Sequence, residues 1–549
     1  MRSADVTRWL YAALAATGLT AASPSESSDA AATRGCNKGR TNKLLTVPTS
    51  NGAVTGHIAT ETSCVLEYLG IPYAKPPVGE LRFAAPQPID RQSPYTAANF
   101  GFDCPLTPSK PVDYPGFTPQ AQRIIDYFAS GSGNPQDEDC LTLNIWSKVT
   151  AKATVAKKPV LVFFYGGRFT TGNTNSPFFD GKRLADAQDL VVVTVNYRTN
   201  IFGFPGAPGE PQNLGLRDQR AAVEWVRDNI AHFGGDVTRI TLSGQSAGGV
   251  AADYWAYAYE HDPIAAGLIL VSGNAFSFPV NAPGVPERNW NAVVAAVGCN
   301  TTTTPTPETQ AATMTCMRAA PWTALKSAAA SVPPARSTTP LRSIPPFYPH
   351  PDNTLIFPNY TALTSTGRFA RLPTLLSTTT NEAGWYSIGA YRSTGAIPTA
   401  EQIAAFHLES FTCPASYQAS ARRKWGVPAW VYRYAADWEN TRLYDGSGAY
   451  HGVDLHMVFG GAEAVSGLGM TREQREMVGV VQRAWAAFVG DPWEGLGRDM
   501  EVGWPMWEER RESLVELGVG NEAGARFVDP RVYDGGCGGV RMGGLGTAA

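Results

Sequence analysis

The stretch Thr241-Leu242-Ser243-Gly244-Gln245-Ser246-Ala247-Gly248-Gly249 carries more information than any other in the chain. It follows Arg239-Ile240, so a short apolar, β-branched run enters a Gly-x-Ser-x-Gly frame. A strand that ends in a sharp turn, with a helix starting directly after it, fits this pattern. Gly244 and Gly248 carry no Cβ, which lets the arms of the turn approach while Ser246 is held strained and exposed at its apex. The pentapeptide alone is weak: with 55 glycines in 549 residues, chance supplies roughly 0.4 such frames. Its surroundings must decide.

On either side of the turn, short apolar runs alternate with amphipathic ones. Pro159–Tyr165, Leu190–Asn196 and Leu268–Ser272 read as strands buried on both faces. Ala221–Ile230 has helical spacing. Strand, helix, strand, helix in this order predicts an α/β fold with a mostly parallel central sheet, helices on both faces and large loop or helical insertions. Leu372–Ser377 and Pro428–Tyr434 add strand-like runs, and residues 473–489 an amphipathic helix. Thr301–Pro307 and Pro345–Pro351 read as surface loops. With no internal repeat and no linker, residues 35–549 are expected to form one domain.

The net charge of −3 offers no field for nucleic acid or for an anionic membrane surface. Arg2 and Arg8 before the apolar run Trp9–Leu19, then small residues at Ala21-Ala22-Ser23, read as a secretory leader over 1–22. A disordered mature tail is expected over 23–34. Eight cysteines without a Cys-x-x-Cys pair suit a secreted, disulfide-bonded chain and disfavour a metal site. Sequons stand at Asn300 and Asn359. No later apolar run is long enough to span a bilayer, and no lipid-anchor signal ends the chain.

An activated serine needs a base, a group to orient it, and donors for an oxyanion. After an elbow of this kind the acid precedes the histidine in the chain. Of seven histidines, His57 and His232 come too early and His261 leaves no room for an acid. His350 lies in the proline-rich loop and His407 on a helix. His456 precedes the apolar Met457-Val458-Phe459 and reads as packed, leaving His451 beyond the loop Tyr444–Gly448. Glu382, in Asn381-Glu-Ala-Gly384, follows a strand-like run and stands between Ser246 and His451. Tyr165-Gly-Gly-Arg-Phe169 follows a buried strand and suits a loop of backbone donors. No motif calls for a cofactor.

Taken together, these pieces resemble the type-B carboxylesterase/lipase family, which includes cholinesterases and secreted fungal esterases and lipases. Gly70-Ile-Pro-Tyr-Ala74, Pro76–Gly79 and Arg82-Phe83 resemble its N-terminal signature, and Glu138–Trp146 its second. Asn213–Gln219, Trp225, Asn229-Ile230, Phe233–Asp236, Asn381–Gly384, His451-Gly452, Phe459-Gly460, Trp485 and Gly490–Pro492 continue the likeness, which spans about 44–510. The resemblance implies an α/β-hydrolase fold and hydrolysis of small ester substrates through an acyl-enzyme, without cofactor or metal. It implies Ser246 as nucleophile, Glu382 as acid, His451 as base, and the N–H groups of Gly167, Arg168 and Ala247 as oxyanion donors. It further implies disulfides Cys104–Cys140, Cys299–Cys316 and Cys413–Cys537, with Cys36–Cys64 the remaining pair.

Two positions depart from the family pattern. Gln245 replaces a glutamate beside the nucleophile, and Arg168 replaces a third glycine. A guanidinium at 168 would either favour anionic substrates or turn outward into a salt bridge. The segment between Cys104 and Cys140 lacks the tryptophan with which cholinesterases hold a quaternary ammonium, so choline esters are not expected substrates. Ile124-Ile125 and Tyr127-Phe128 in that segment suit the lid of an interfacial lipase, the alternative activity. A non-catalytic, cholinesterase-like binding module is the alternative of another class.

Overall fold

A computed structural model of the chain describes residues 44–90, 94–149, 157–300, 306–334 and 339–542. The leader expected over 1–22, the tail over 23–34, and the expected Cys36–Cys64 bond lie outside the described residues.

Eleven strands make the main sheet: β1 (His57–Ile58), β2 (Val65–Pro72), β3 (Thr142–Lys148), β4 (Lys158–Phe164), β5 (Val191–Val195), β6 (Gly235–Gln245), β7 (Gly267–Val271), β8 (Thr374–Thr379), β9 (Ala429–Tyr434), β10 (Leu514–Leu517) and β11 (Ala525–Val528). Their spatial order is β11-β10-β9-β8-β7-β6-β4-β5-β3-β2-β1. Every pair from β10 across to β5 is parallel. The strands outside that block, β11 at one edge and β3, β2 and β1 at the other, pair antiparallel. Thr46–Thr49, Gly52–Thr55 and Tyr95–Thr96 form a separate small sheet.

The parallel block is apolar on both faces because helices cover both. In β5 every residue is buried, and each fully buried valine is worth about 1.5–3 kcal/mol over an exposed one. The helices that bear on the site are α1 (Ala121–Phe128), α2 (Leu214–Asn229), α3 (Ala247–Ala258), α4 (Pro307–Ala319), α5 (Ala383–Thr394), α6 (Ala400–His407) and α7 (Arg472–Gly490). On α7, Met477, Val481, Ala484, Trp485 and Phe488 make the buried stripe that the helical period requires, and Thr471 caps its first turn.

Two sequence expectations need correction. The Thr/Pro-rich run does not remain a loop through Pro307: Thr306 caps α4, and Pro307 stands at its first turn, where a missing N–H costs nothing. The segment 345–351 is irregular but not superficial. Phe347, Tyr348 and His350 are buried, and Asn213 pairs with the His350 backbone through both ends of its amide (3.0 and 3.2 Å). Satisfying these backbone groups is what allows a loop to run inside the molecule.

Register brings the loops together. Phe164 lies opposite Gly244, Gln245 opposite Val271, and Val271 opposite Ser377. The segments after β4, β6, β7 and β8 therefore leave the sheet at one carboxyl edge, where parallel α/β sheets build their sites.

Candidate active site

Ser246 occupies the turn between β6 and α3 with φ 56° and ψ −121°, a strained backbone for a residue with a Cβ. The glycines of the motif have a steric reason. A Cβ on Gly244 would stand 2.2 Å from the Gly248 backbone, and one on Gly248 would stand 2.1 Å from the Phe164 carbonyl oxygen. Only hydrogen fits at either position, so β6, α3 and β4 close on one another and lift the serine out of the sheet.

Glu382 and His451 meet although 69 residues separate them. Glu382 follows β8 and opens α5; His451 follows Tyr450, which bridges to Asn381. Oε2 of Glu382 lies 2.5 Å from Nδ1 of His451. The other oxygen accepts from the Ser272 hydroxyl and the Thr379 N–H, each at 2.8 Å. Burial pushes the Glu382 carboxyl up. His451, the Thr379 N–H and Ser272 outweigh it and hold the group below the ordinary carboxylate range.

Both His451 and Ser246 line a cavity of about 610 Å³, together with Gly166, Gly167, Arg168, Gln245, Trp385 and Tyr386. The donor loop after β4 runs through three successive positive φ values: Gly167 (105°), Arg168 (56°) and Phe169 (57°). Among the described residues, neither the Gly167 nor the Arg168 N–H donates to a backbone or side-chain acceptor. Ala247 is the first residue of α3, so its N–H precedes the helical ladder. The three amides are free for an incoming oxygen.

Arg168 does not turn outward into a salt bridge. Its guanidinium lies over the Tyr386 ring, 5.1 Å from the centroid, and donates to the Leu341 carbonyl at 3.1 Å. Gln245 is buried, and its Nε2 has no partner among the described residues.

Several groups at the site were not legible in the sequence. Ser272 gave no motif, yet it buttresses Glu382. The Tyr386 hydroxyl stands 3.4 Å from Nε2 of His451; burial pushes this phenol up to about 12, against the pull of Arg168 and the Ser246 hydroxyl. His407, dismissed as helical, ends α6, and its Nε2 accepts the Ala383 N–H at 3.0 Å, beside Glu382. Chain order could not find these groups, because each is placed by a contact with Glu382, Ala383 or His451 rather than by a motif. His456 is packed as expected. Burial pushes its pKa down to about 3, and neither ring nitrogen has a hydrogen-bond partner among the described residues.

The Cys104–Cys140, Cys299–Cys316 and Cys413–Cys537 bonds are all formed. Asn300 is exposed, with its Thr301-Thr302 outside the described residues, and Asn359 caps a short helix by accepting the Ala362 N–H. No group of metal-binding residues occurs among the described residues, and no helix there is long and apolar enough to cross a membrane.

A model of the carboxylesterase family matches residues 43–410. The chlorogenic acid esterase of Aspergillus niger is 32% identical over 505 residues, which is 87% of this chain and 91% of that protein. Secreted lipase 5 of Gibberella zeae is 31% identical over 528 residues, 90% of this chain and 94% of that protein. The cholinesterase of Mus musculus is 36% identical over 256 residues, 45% of this chain and 39% of that protein. With the elbow, the sheet order and these matches in agreement, the chain belongs to the carboxylesterase family and is a carboxylic ester hydrolase of the α/β-hydrolase fold.

Proposed function

We propose that the chain is a secreted serine esterase that works by an acyl-enzyme with Ser246 as nucleophile, His451 as base and Glu382 as its orienting acid. The observation that carries this reading is the 2.5 Å contact between Nδ1 of His451 and a desolvated, multiply hydrogen-bonded Glu382, with His451 and Ser246 lining one cavity. His451 takes the hydroxyl proton as Oγ of Ser246 attacks the ester carbonyl. Glu382 fixes the ring tautomer and stabilises the imidazolium. The Gly167, Arg168 and Ala247 amides receive the oxyanion. The proton then passes to the leaving alcohol, and water repeats the attack on the acyl-enzyme.

Secretion is supported by the leader-like sequence over 1–22, by the disulfides, and by a relative named as a secreted lipase. Asn300 and Asn359 are the proposed glycan acceptors. The test is a panel of esters varying in acyl length and alcohol, run on wild type and Ser246→Ala. Turnover in the variant should fall by several orders of magnitude, on the order of 10⁴ or more. Near-native hydrolysis by Ser246→Ala would end the assignment.

A lipase reading has one observation in its favour. Ile125 and Phe128 of α1 line the cavity, and Phe128 packs on Trp385 with centroids 4.7 Å apart. A rate that jumps above the solubility limit of a triglyceride would support that reading, and saturation below the limit would exclude it.

A further inference from the structure

The chain as a whole is slightly acidic, with 48 Asp and Glu against 45 Lys and Arg. The lining of the catalytic cavity has the opposite balance. Arg168 and Arg392 both face it, and no Asp or Glu stands among its described lining residues. A smaller recess of about 20 Å³, which also touches Ser246 and Arg168, has no carboxylate either. The nearby Glu382 is occupied by His451, Ser272 and the Thr379 N–H.

Arg392 is the less compensated of the two cations. It is half-buried on α5 and makes no hydrogen bond or ion pair with any described residue, and its Nε is buried without a partner. Asp126 borders an adjoining recess together with Arg392, but its carboxylate lies beyond ion-pair distance and accepts from Gln122 at 2.7 Å. Burial alone pulls the Arg392 guanidinium below its ordinary range, with no neighbouring charge to restore it. A desolvated cation facing a cavity without counter-charge is costly in the empty enzyme and is relieved by an anionic ligand. Guanidinium also has the donor fork that suits a carboxylate.

The course of α5 sets which end of the cavity that anion would occupy. Tyr386 contacts the His451 ring, and Arg392 stands six residues further along the same helix, which is about 9 Å of axial rise. Exposed Ser393 and Thr394, also in the lining, put this end of the cavity nearer solvent. We propose that the enzyme selects esters bearing a second, free carboxylate, received by Arg392 at the end of the cavity away from His451, with Arg168 adding to the positive field. This inference rests on the serine-esterase reading above and narrows its substrate class.

The test uses two matched pairs of esters. One pair is the 4-nitrophenyl monoester of suberic acid and its terminal carboxamide; the other is the acetate esters of 8-hydroxyoctanoic acid and of its amide. The acid should exceed the amide in kcat/KM about tenfold in at least one pair, the preference residing in KM and shrinking as salt rises. The ratio should fall toward one in Arg392→Gln and below one in Arg392→Glu, and largely survive in Arg392→Lys. Ratios near one in both pairs for wild type, or an acid preference unmoved by Arg392→Gln and Arg392→Glu, would overturn the proposal. Ser246→Ala in parallel separates the two readings. If that variant still turns over the esters, the serine assignment fails; if it is inert while wild type is indifferent to charge, only the carboxylate site fails.

Discussion

The hydroxyl of Tyr386 lies 3.4 Å from Nε2 of His451, on the ring nitrogen opposite the one that Glu382 holds. The phenol stays neutral far above physiological pH, since burial pushes it up to about 12. It therefore contributes a dipole and a long hydrogen bond where, in the proposed mechanism, the serine proton arrives. Tyr386→Phe is expected to lower kcat roughly two- to tenfold, the usual worth of one neutral hydrogen bond. Steady-state kinetics on a neutral ester check this, and a loss approaching that of Ser246→Ala would mean that the hydroxyl takes part in proton transfer.

Ser272 tests the support of Glu382. The Glu382 carboxyl sits below its ordinary value of 4.5, so the stability it contributes is complete above that pH and is lost as pH falls through the lower folded value. Removing the Ser272 hydroxyl should cost about 1.5–3 kcal/mol, as for other hydrogen bonds to charged groups. It should also move the acid limb of the kcat/KM profile to higher pH. Denaturant melts and a pH–rate profile of Ser272→Ala measure the two effects, and an unmoved acid limb would show that Ser272 does not govern Glu382.

Asp454 lies three residues beyond His451 and is fully buried. Burial, with the charge of Glu382, pushes its carboxyl up to about 7. The folded chain keeps a proton that an unfolded aspartate releases near 3.9, so stability declines as pH rises from about 4 to about 7. Asp454→Asn removes that decline. Its melting temperature should exceed wild type by a few degrees at about pH 8 and match it near pH 4. Equal offsets at both ends of the range would refute the assignment.

The disulfides should rank by the chain they close. Cys413–Cys537 spans 124 residues and Cys299–Cys316 spans 17. In the chain-entropy account the first restrains the unfolded state by nearly 5 kcal/mol and the second by about 3 kcal/mol. Paired Cys→Ser variants compared in denaturant should keep this order, and loss of the first should open the segment beyond Ala525 to proteolysis.

The sequence was most legible where a local rule had a steric cause. Gly244 and Gly248 are readable because no other residue clears Gly248 and Phe164. The valine-rich run Val191–Val195, interrupted only by Thr194, reads as a central strand because both its faces are covered. The apolar spacing of α7 likewise gives its buried face directly. The burial of residues 347–350 is not readable locally because it depends on Asn213, far away in sequence. His407 was passed over because what matters there is one ring nitrogen aimed at Ala383.

The sequence by itself determined the α/β class, the strand-turn-helix around Ser246 and the chain order of Glu382 and His451, because these follow from periodicity, glycine sterics and motif. Tertiary structure alone decided which groups surround them. Ser272 under Glu382, Tyr386 beside His451, Arg168 turned inward and Arg392 without a counter-charge among the described residues all depend on how distant segments pack. Burial and electrostatic environment belong to the packed sheet edge, and no local stretch of sequence encodes them.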